Sequence, residues 1–179
     1  MWFLTQEGVD RYDGKYIKHY NFSDDSIKLD SRIALNWLYM DSGNILWVIG
    51  QKGRIFRYDS QHDKFKLAYI HPELIRNKPQ AFLNYGYLDK NDRIWLCYKD
   101  SITWYDIRTG TTLHMPTPVN GEITAIEQTD SNHFFIGTGN GLFHAGIEKG
   151  KLNIMPDKMV EGIGCLLYTS DAADERSSV

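Results

Sequence analysis

Two short segments of the sequence repeat an amide beside a large aromatic ring. They are Leu35-Asn36-Trp37 and Leu83-Asn84-Tyr85, which begin 48 residues apart. An amide exchanges hydrogen bonds with hydroxyl groups and a ring packs against an apolar face, so such a pair suits a sugar. The alternative is that both rings pack between strands, the commoner role of aromatic residues. The candidate ligand-binding residues are therefore Asn36, Trp37, Asn84 and Tyr85.

The other residues with chemical potential form no catalytic or metal-binding pattern. No two of the six histidines have the spacing of zinc ligands. The acidic segment 89–92 lacks the glycine and the distant glutamate of a calcium-binding loop. Cys97 and Cys165 each lie in an apolar run and form no CxxC pair. We therefore predict no catalytic residue, no metal site, no cofactor and no enzyme activity in this chain.

The charge balance gives no reason to expect nucleic acid as a partner. The chain has 20 Lys and Arg against 23 Asp and Glu, a net charge of -3. Nucleic-acid-binding surfaces are usually strongly basic, so we expect no nucleic-acid binding. A hydrophobic content of 42% with 13% aromatic residues predicts a folded chain.

The elements that would position these residues repeat along the chain. Trp2, Trp47, Trp95 and Phe135 each lie in a short apolar run, at intervals of 45, 48 and 40 residues. Internal repeats of about 40 to 50 residues are typical of β-propellers, in which each blade is a four-stranded sheet.

Turn-forming residues follow all four repeated aromatic residues and precede three of them. A small residue follows six positions later, and an aspartate precedes three of the four aromatics by five or six positions. Glycine allows the positive φ of tight turns, and an aspartate side chain accepts hydrogen bonds from its own turn. We therefore expect a hairpin turn before and after each aromatic strand. The small residues are Gly8, Gly53, Ser101 and Gly141, and the aspartates are Asp41, Asp89 and Asp130.

The second strand of a repeat shows how the sheets must pack. Ile45-Leu46-Trp47-Val48-Ile49 is apolar on both faces, so it needs cover from both sides. Blades packed face to face around an axis provide that cover. The predicted fold class is all-β, a β-propeller fragment of four-stranded antiparallel blades. The predicted strands are 33–40, 45–49, 54–58 and 65–69, then 81–88, 94–98, 102–105 and 112–115, then 123–128, 134–137, 142–144 and 152–155.

The repeats predict about three full blades with a partial blade at each end. The partial blade is 1–22, the full blades are about 31–70, 80–116 and 121–156, and 160–168 is the first strand of a further blade. Residues 169–179 are polar and rich in small residues, so we expect a non-native or disordered tail there. The pattern indicates an internal piece of a longer protein.

Two of these copies resemble the two-component regulator propeller repeat. Its consensus runs aromatic, apolar, Gly, Thr, two variable positions, Gly, apolar, and often Arg-Tyr-Asp. Phe135-Ile136-Gly137-Thr138 with Gly141-Leu142 follows it, as does Arg11-Tyr12-Asp13 in the first copy. The middle copies depart from it, with Gly50-Gln51 and Cys97-Tyr98 where Gly-Thr is usual. The resemblance covers about residues 1–168.

The resemblance implies a function in sensing. Such repeats form the periplasmic propellers of hybrid two-component system histidine kinases in Bacteroidetes-type bacteria. In that family the propellers sense oligosaccharides and signal to a kinase, which would lie outside this chain. The implied partners are an oligosaccharide, the remaining blades of the parent chain and a second copy of the parent in a homodimer. Propeller ligands generally lie at one end of the axis, near the segments that precede residues 33, 81 and 123.

Two other functions remain open at this point. A propeller enzyme such as a streptogramin-type lyase or a glycan lyase would bring histidine and acidic residues together at the axis. A general interaction scaffold of the WD40 or kelch kind would carry Gly-His and Trp-Asp or double-glycine signatures, which this sequence lacks.

Overall fold

The computed structural model describes residues 1–5, 7–22, 34–72 and 82–155, which form four antiparallel sheets. We call these sheets blades 1 to 4. Blade 1 contains β1 (Trp2–Leu4), β2 (Val9–Tyr12) and β3 (Ile17–Tyr20). Blade 2 contains β4 (Leu35–Met40), β5 (Leu46–Gly50), β6 (Arg54–Asp59) and β7 (Lys64–Tyr69). Blade 3 contains β8 (Tyr85–Leu88), β9 (Arg93–Cys97), β10 (Ser101–Asp106) and β11 (Thr112–Pro116). Blade 4 contains β12 (Ile123–Gln128), β13 (His133–Thr138), β14 (Gly141–Glu148) and β15 (Lys151–Ile154).

The predicted fold class is confirmed. In every blade the strands lie side by side in sequence order, and each pairs antiparallel with the next. The first strands of blades 2, 3 and 4 are neighbours, because β4 contacts β8 and β8 contacts β12. The first strands therefore form the inner row of the array. Among the described residues, no helix is long and apolar enough to cross a membrane.

The core lies between the blades, and each interface uses the same pair of faces. Trp47 and Ile49 of blade 2 pack with Ile94 and Leu96 of blade 3. One repeat further on, Trp95 and Cys97 pack in one cluster with residues of blade 4, among them Phe134, Ile136 and Ala145. The second strand β5 is buried over its whole length, as its apolar sequence predicts. Blades 2 and 3 are thus covered on both faces by their neighbours, whereas blades 1 and 4 are each covered by a described blade on one face.

The aspartate that lies six residues before Trp47 and before Trp95 has two roles. The Oδ1 atom of Asp89 accepts hydrogen bonds from the backbone N–H groups of Asn91 (2.9 Å) and Arg93 (3.0 Å), which confirms the predicted turn. Its Oδ2 atom accepts a hydrogen bond from the indole Nε1 of Trp95 at 2.9 Å. Asp41 and Trp47 make the same indole contact at 2.7 Å in blade 2. The six-residue spacing therefore links the turn to the buried ring.

The repeated small residue has a less uniform role than we predicted. Gly53 and Gly141 have positive φ values of 78° and 134°, as expected, but Gly8 and Ser101 do not. Gly8 is needed for a different reason, because a Cβ atom there would lie 2.3 Å from the backbone oxygen of Tyr20. Pairing registers also place Arg54, and not Gly53, at the position of Gly8. The turn before β6 is one residue longer than the turn in blade 1.

Some predicted elements lie outside the described residues. These are the beginnings of the strands predicted at 33–40 and 81–88, the further first strand at 160–168 and the tail at 169–179. Within the described residues, β8 begins at Tyr85, four residues after the predicted strand start. The other predicted strands differ from the observed ones by a few residues at their ends.

Asp63 joins blade 1 to blade 2. Its carboxylate accepts hydrogen bonds from the hydroxyls of Tyr20 (2.6 Å) and Tyr58 (2.5 Å) and from Arg11 Nη1 (2.9 Å). Lys18 of blade 1 forms an ion pair with the same carboxylate. Hydrogen bonds from Lys18, Tyr20 and Tyr58 hold the pKa of Asp63 well below its usual 3.8. We call this group, Arg11, Lys18, Tyr20 and Tyr58 around Asp63, the blade 1–2 clasp.

The clasp predicts a pH-dependent contribution to stability. Because the pKa of Asp63 is lower in the folded chain, its contribution is complete above pH 3.8 and is lost as the pH falls toward the folded value. We expect Asp63→Asn to lower the melting temperature at pH 7 by roughly 3 °C or more, and the difference from wild type to shrink below about pH 4. Thermal melts followed by circular dichroism between pH 3 and pH 7, values chosen to bracket the usual pKa, measure it.

The exposed Asp100 supplies the control, since it lies in a bend between β9 and β10, away from the clasp. Asp100→Asn is expected to change the melting temperature little at any pH. A difference between wild type and Asp63→Asn that stays constant across the titration would contradict the proposed coupling.

Candidate functional site

The beginnings of β4, β8 and β12, the first strands of blades 2, 3 and 4, lie at one end of the blade array, which we call the entry end. The loops between second and third strands lie at the same end, because adjacent strands are antiparallel. All four candidate residues, Asn36 and Trp37 of blade 2 and Asn84 and Tyr85 of blade 3, lie here at the beginnings of β4 and β8. The structure therefore places both pairs at the end where the sequence predicts a ligand site.

The two aromatic rings pack between blades 2 and 3. The centroids of Trp37 and Tyr85 lie 6.0 Å apart with their planes at 74°, an edge-to-face contact. Trp37 also packs over Gly86, where a Cβ atom would lie 2.9 Å from the indole ring. The hydroxyl of Tyr39 donates a hydrogen bond to the Gly86 oxygen at 2.8 Å. Both rings thus have a structural role, and a ligand contact by either one stays a prediction.

The two amides have different environments. Asn36 is exposed, and the pairing register of β4 and β5 shifts between Leu35 and Trp37, so Asn36 lies at a β-bulge. Asn84 is half-buried, and its backbone N–H donates to the Cys97 oxygen at 2.9 Å. The side-chain Nδ2 of Asn84 is buried and has no hydrogen-bond partner among the described residues. Asn84 is therefore the better placed of the two to bind a ligand group.

Asn84 lines an open cleft of about 730 Å³ at the entry end, which we call the entry cleft. Ring contacts organise one side of it. His71 lies 4.8 Å from Tyr98 and 5.6 Å from His114, measured between ring centroids. The Nδ1 atom of His114 is hydrogen-bonded to the hydroxyl of Thr103 at 2.8 Å. The cleft also has charged residues of both signs, namely Lys99, Asp100 and Glu122.

The chemistry of the entry cleft suits a polar ligand with some apolar surface. An unpaired amide donor, an imidazole and charged groups offer hydrogen bonds, while Phe82 and Met115 add apolar area to the lining. The sequence alone indicated Asn84 but not His71 or His114. Those two histidines lie 43 residues apart and are joined only by the packing of blades 2 and 3, so no local pattern could have identified them.

The histidines and the buried cysteine form no metal centre among the described residues. No group of three or more His, Cys, Asp or Glu side chains there could hold a metal ion. Three histidines instead lie beside nearby aspartates, as His133 does at 2.7 Å from Asp130. Cys97 is fully buried, and this burial raises the pKa of its thiol well above the usual range.

Solved structures share this arrangement of blades. The extracellular domain of a protein described as the hybrid two component system BT3049 from B. thetaiotaomicron superposes with a TM-score of 0.62 at 21% identity, over 86% of this chain and 23% of that chain. The extracellular domain of BT4673 from the same organism gives 0.62 at 16% identity, over 90% of this chain and 22% of that chain. Streptogramin B lyase gives 0.59 at 20% identity, over 87% of this chain and 50% of that chain.

The chain thus spans less than a quarter of the two extracellular domains and half of the lyase. No protein-family model matches the sequence, and no curated protein is significantly similar to it. The inner row of first strands, the repeated faces and these superpositions together identify the chain as an array of β-propeller blades, the fold that its resemblance to the two-component regulator propeller repeat implies.

Proposed function

We propose that this chain is part of an extracytoplasmic, periplasmic sensory propeller that binds an oligosaccharide in the entry cleft and signals to a kinase outside the chain. The unpaired Asn84 amide in an open cleft is the observation that carries the proposal. The shared fold with extracellular domains of two-component systems supports the sensory role. The parent's other blades, and a homodimer of the parent, would complete the assembly.

Each residue of the entry cleft would contribute in a simple way. The Asn84 amide would donate a hydrogen bond to a sugar hydroxyl, which offsets the cost of about 1–3 kcal/mol for a buried unpaired donor. The Nδ1 atom of His114 is already hydrogen-bonded to Thr103, so its Nε2 atom would bind a neighbouring sugar hydroxyl. Asn36 lies at the equivalent place in blade 2 and would extend the site along the inner row. Signalling would require that the ligand bind one arrangement of the parent more tightly than another.

An enzymatic function has no comparable support in the described residues. The superposition with streptogramin B lyase supports the shared fold. It is not accompanied by a described group of three or more metal-ligating side chains. We therefore propose binding and not catalysis for this chain.

The role of Asn84 is testable by calorimetry on the whole chain. Titration with a panel of neutral oligosaccharides is expected to identify a ligand, and Asn84→Ala is expected to weaken its binding about tenfold, because one hydrogen bond to an otherwise unpaired donor is worth about 1.4 kcal/mol. Asn132→Ala is the matched control, since Asn132 is an exposed amide in the turn before β13, at the opposite end of blade 4.

Two results would refute the proposal. The first is that no oligosaccharide of a broad panel binds the chain. The second is that Asn84→Ala and Asn132→Ala bind the ligand equally well. Asn36→Ala tests separately whether the site extends to blade 2, and an unchanged affinity would limit it to the entry cleft.

A further inference from the structure

The interface between blades 2 and 3 repeats the aromatic contacts of the interface between blades 1 and 2. At the blade 1–2 interface, the ring centroids of Trp2 and Tyr58 lie 4.8 Å apart and those of Tyr20 and Tyr58 lie 6.0 Å apart. One repeat later, Trp47 and Tyr105 lie 6.1 Å apart and Tyr69 and Tyr105 lie 5.5 Å apart. The strand registers place Trp47, Tyr69 and Tyr105 at the positions of Trp2, Tyr20 and Tyr58. The clasp therefore has a structural counterpart one blade further on.

The interface between blades 2 and 3 also has counterparts of both cations of the clasp. Arg11 pairs with Lys18 across β2 and β3, and Arg57 pairs with Lys66 across β6 and β7. The guanidinium of Arg11 lies 5.4 Å from the Trp2 ring, and that of Arg57 lies 6.0 Å from the Trp47 ring. Four of the five groups of the clasp are thus present again, as Arg57, Lys66, Tyr69 and Tyr105.

The missing group is the carboxylate. Asp63 lies four residues after Asp59, whose Oδ1 caps the turn before β7. Asp106 caps the equivalent turn before β11, and the residue four positions later is Gly110. Asp63 and Gly110 both have positive φ, at 49° and 70°. Gly110 therefore holds the position from which Asp63 bridges blades 1 and 2.

The groups around Gly110 differ from those around Asp63 in the way expected where a carboxylate is missing. The hydroxyl of Tyr69 is buried and has no hydrogen-bond partner among the described residues, whereas its counterpart Tyr20 donates to Asp63. Burial raises the pKa of Tyr69 to about 12, so the hydroxyl is a proton donor at neutral pH. Lys66 forms an ion pair with Asp59 of its own blade, whereas Lys18 reaches across to Asp63.

An open cleft lies where the clasp closes the other interface. It has a volume of about 800 Å³ and is lined by residues of blades 2 and 3, among them Arg57, Lys66 and Arg108. Asp59 is the one acidic residue among the described residues that line it. We call it the blade 2–3 cleft. The cleft lies at the end of the blades opposite to the entry cleft, because its lining includes the turn before β7.

We propose that the blade 2–3 cleft binds the carboxylate of a small ligand, which takes the place that Asp63 occupies in the clasp. Arg57 and Lys66 would supply the opposite charge, and Tyr105, which lines the cleft, would donate a hydrogen bond. The hydroxyl of Tyr69, which is buried and not part of the lining, would donate a second one, as Tyr20 does to Asp63. Charge-assisted hydrogen bonds of this kind are stronger than those between neutral groups. The proposal does not depend on the entry cleft, since the two sites share no residue.

The decisive variant is Gly110→Asp, which supplies the carboxylate from the chain itself. A Cβ atom at Gly110 meets no heavy atom within 4 Å, and aspartate already adopts positive φ at Asp63. Gly150→Asp is the matched control, because Gly150 has a φ of 75° and equally open surroundings in the turn of blade 4. Both variants add the same charge in the same backbone conformation.

The probes are sodium acetate, sodium D-glucuronate, D-glucose and sodium sulfate, each titrated into the whole chain and followed by NMR chemical shifts. We expect acetate and glucuronate to bind the wild type and Gly150→Asp, and to bind Gly110→Asp at least about tenfold more weakly because the site is filled. Glucuronate binding more tightly than acetate would indicate an acidic sugar as the ligand. Equal affinities for acetate and glucuronate would indicate that the cleft recognises the carboxylate group alone. The melting temperature of Gly110→Asp is expected to exceed that of Gly150→Asp.

Several results would overturn the proposal. They are no binding of either carboxylate, equal carboxylate binding by the two aspartate variants, or glucose or sulfate binding as tightly as acetate. Asn84→Ala, which alters only the entry cleft, is expected to leave carboxylate binding unchanged. Loss of oligosaccharide binding and loss of carboxylate binding are therefore separate results.

Discussion

Replacing Trp95 with alanine is expected to lower the free energy of unfolding by about 3–5 kcal/mol. The ring is fully buried and lies 5.0 Å from Trp104 and 4.8 Å from Phe134, measured between centroids, so the variant leaves a cavity between blades 3 and 4. It also removes the indole hydrogen bond to Asp89. Urea denaturation followed by circular dichroism measures the loss.

Phe135 provides a control at the same position of the repeat. The pairing of Phe135 with His144 in blade 4 corresponds to that of Trp95 with Trp104 in blade 3. Phe135 is 37% exposed, since no described blade covers that face. Phe135→Ala is therefore expected to cost about 1 kcal/mol or less. Equal losses for the two variants would show that burial between blades does not set the stability.

Asp89→Ala is expected to cost a similar amount, about 3–5 kcal/mol, for an electrostatic reason. The Asp89 side chain is fully buried, and its Oδ2 accepts hydrogen bonds from Arg93 Nε at 2.7 Å and from Trp95 Nε1 at 2.9 Å. The side chain of Arg93 is only 18% exposed, and removing the carboxylate deprives its guanidinium of its ion-pair partner. It also leaves the buried indole N–H of Trp95 unpaired. The same denaturation experiment measures this cost.

Asp130→Ala tests whether burial causes that effect. Asp130 caps the equivalent turn of blade 4 through Asn132 and His133, but its side chain is 61% exposed and contacts no indole. We expect this variant to cost much less than Asp89→Ala, because the carboxylate that it removes is largely in solvent. A cost as large as that of Asp89→Ala would mean that the turn, and not the buried network, carries the stability.

The sequence predicted the sheets well because the pattern that forms them is local. Apolar runs such as Leu46–Gly50 and the aspartate turns are short, and the same physical requirements recur in each blade. The prediction was less accurate where one blade differs from the next. The turn before Arg54 is one residue longer than the turn in blade 1, and the residue at Asn36 forms a bulge. Neither the longer turn nor the bulge can be predicted from the spacing of residues along the sequence.

The sites were less predictable than the fold. Asn84 could be identified because it recurs beside an aromatic residue, but the histidines that share its cleft come from separate strands. The clasp could not be predicted, since Arg11 and Asp63 are 52 residues apart and meet only through blade packing. The equivalence of Gly110 and Asp63 lies in the strand registers of blades 2 and 3, which no local sequence pattern contains.

Because each interface in this chain is formed by the same pair of blade faces, a change at one interface has little effect on the stability of the others. In an array where each blade contacts only its neighbours, the free energy is close to a sum of terms for single blades and single interfaces. The lack of a carboxylate at position 110 is therefore expected to affect the interface between blades 2 and 3 and not the other two. In an array of this kind, one interface between blades can hold a ligand while the other interfaces keep the array folded.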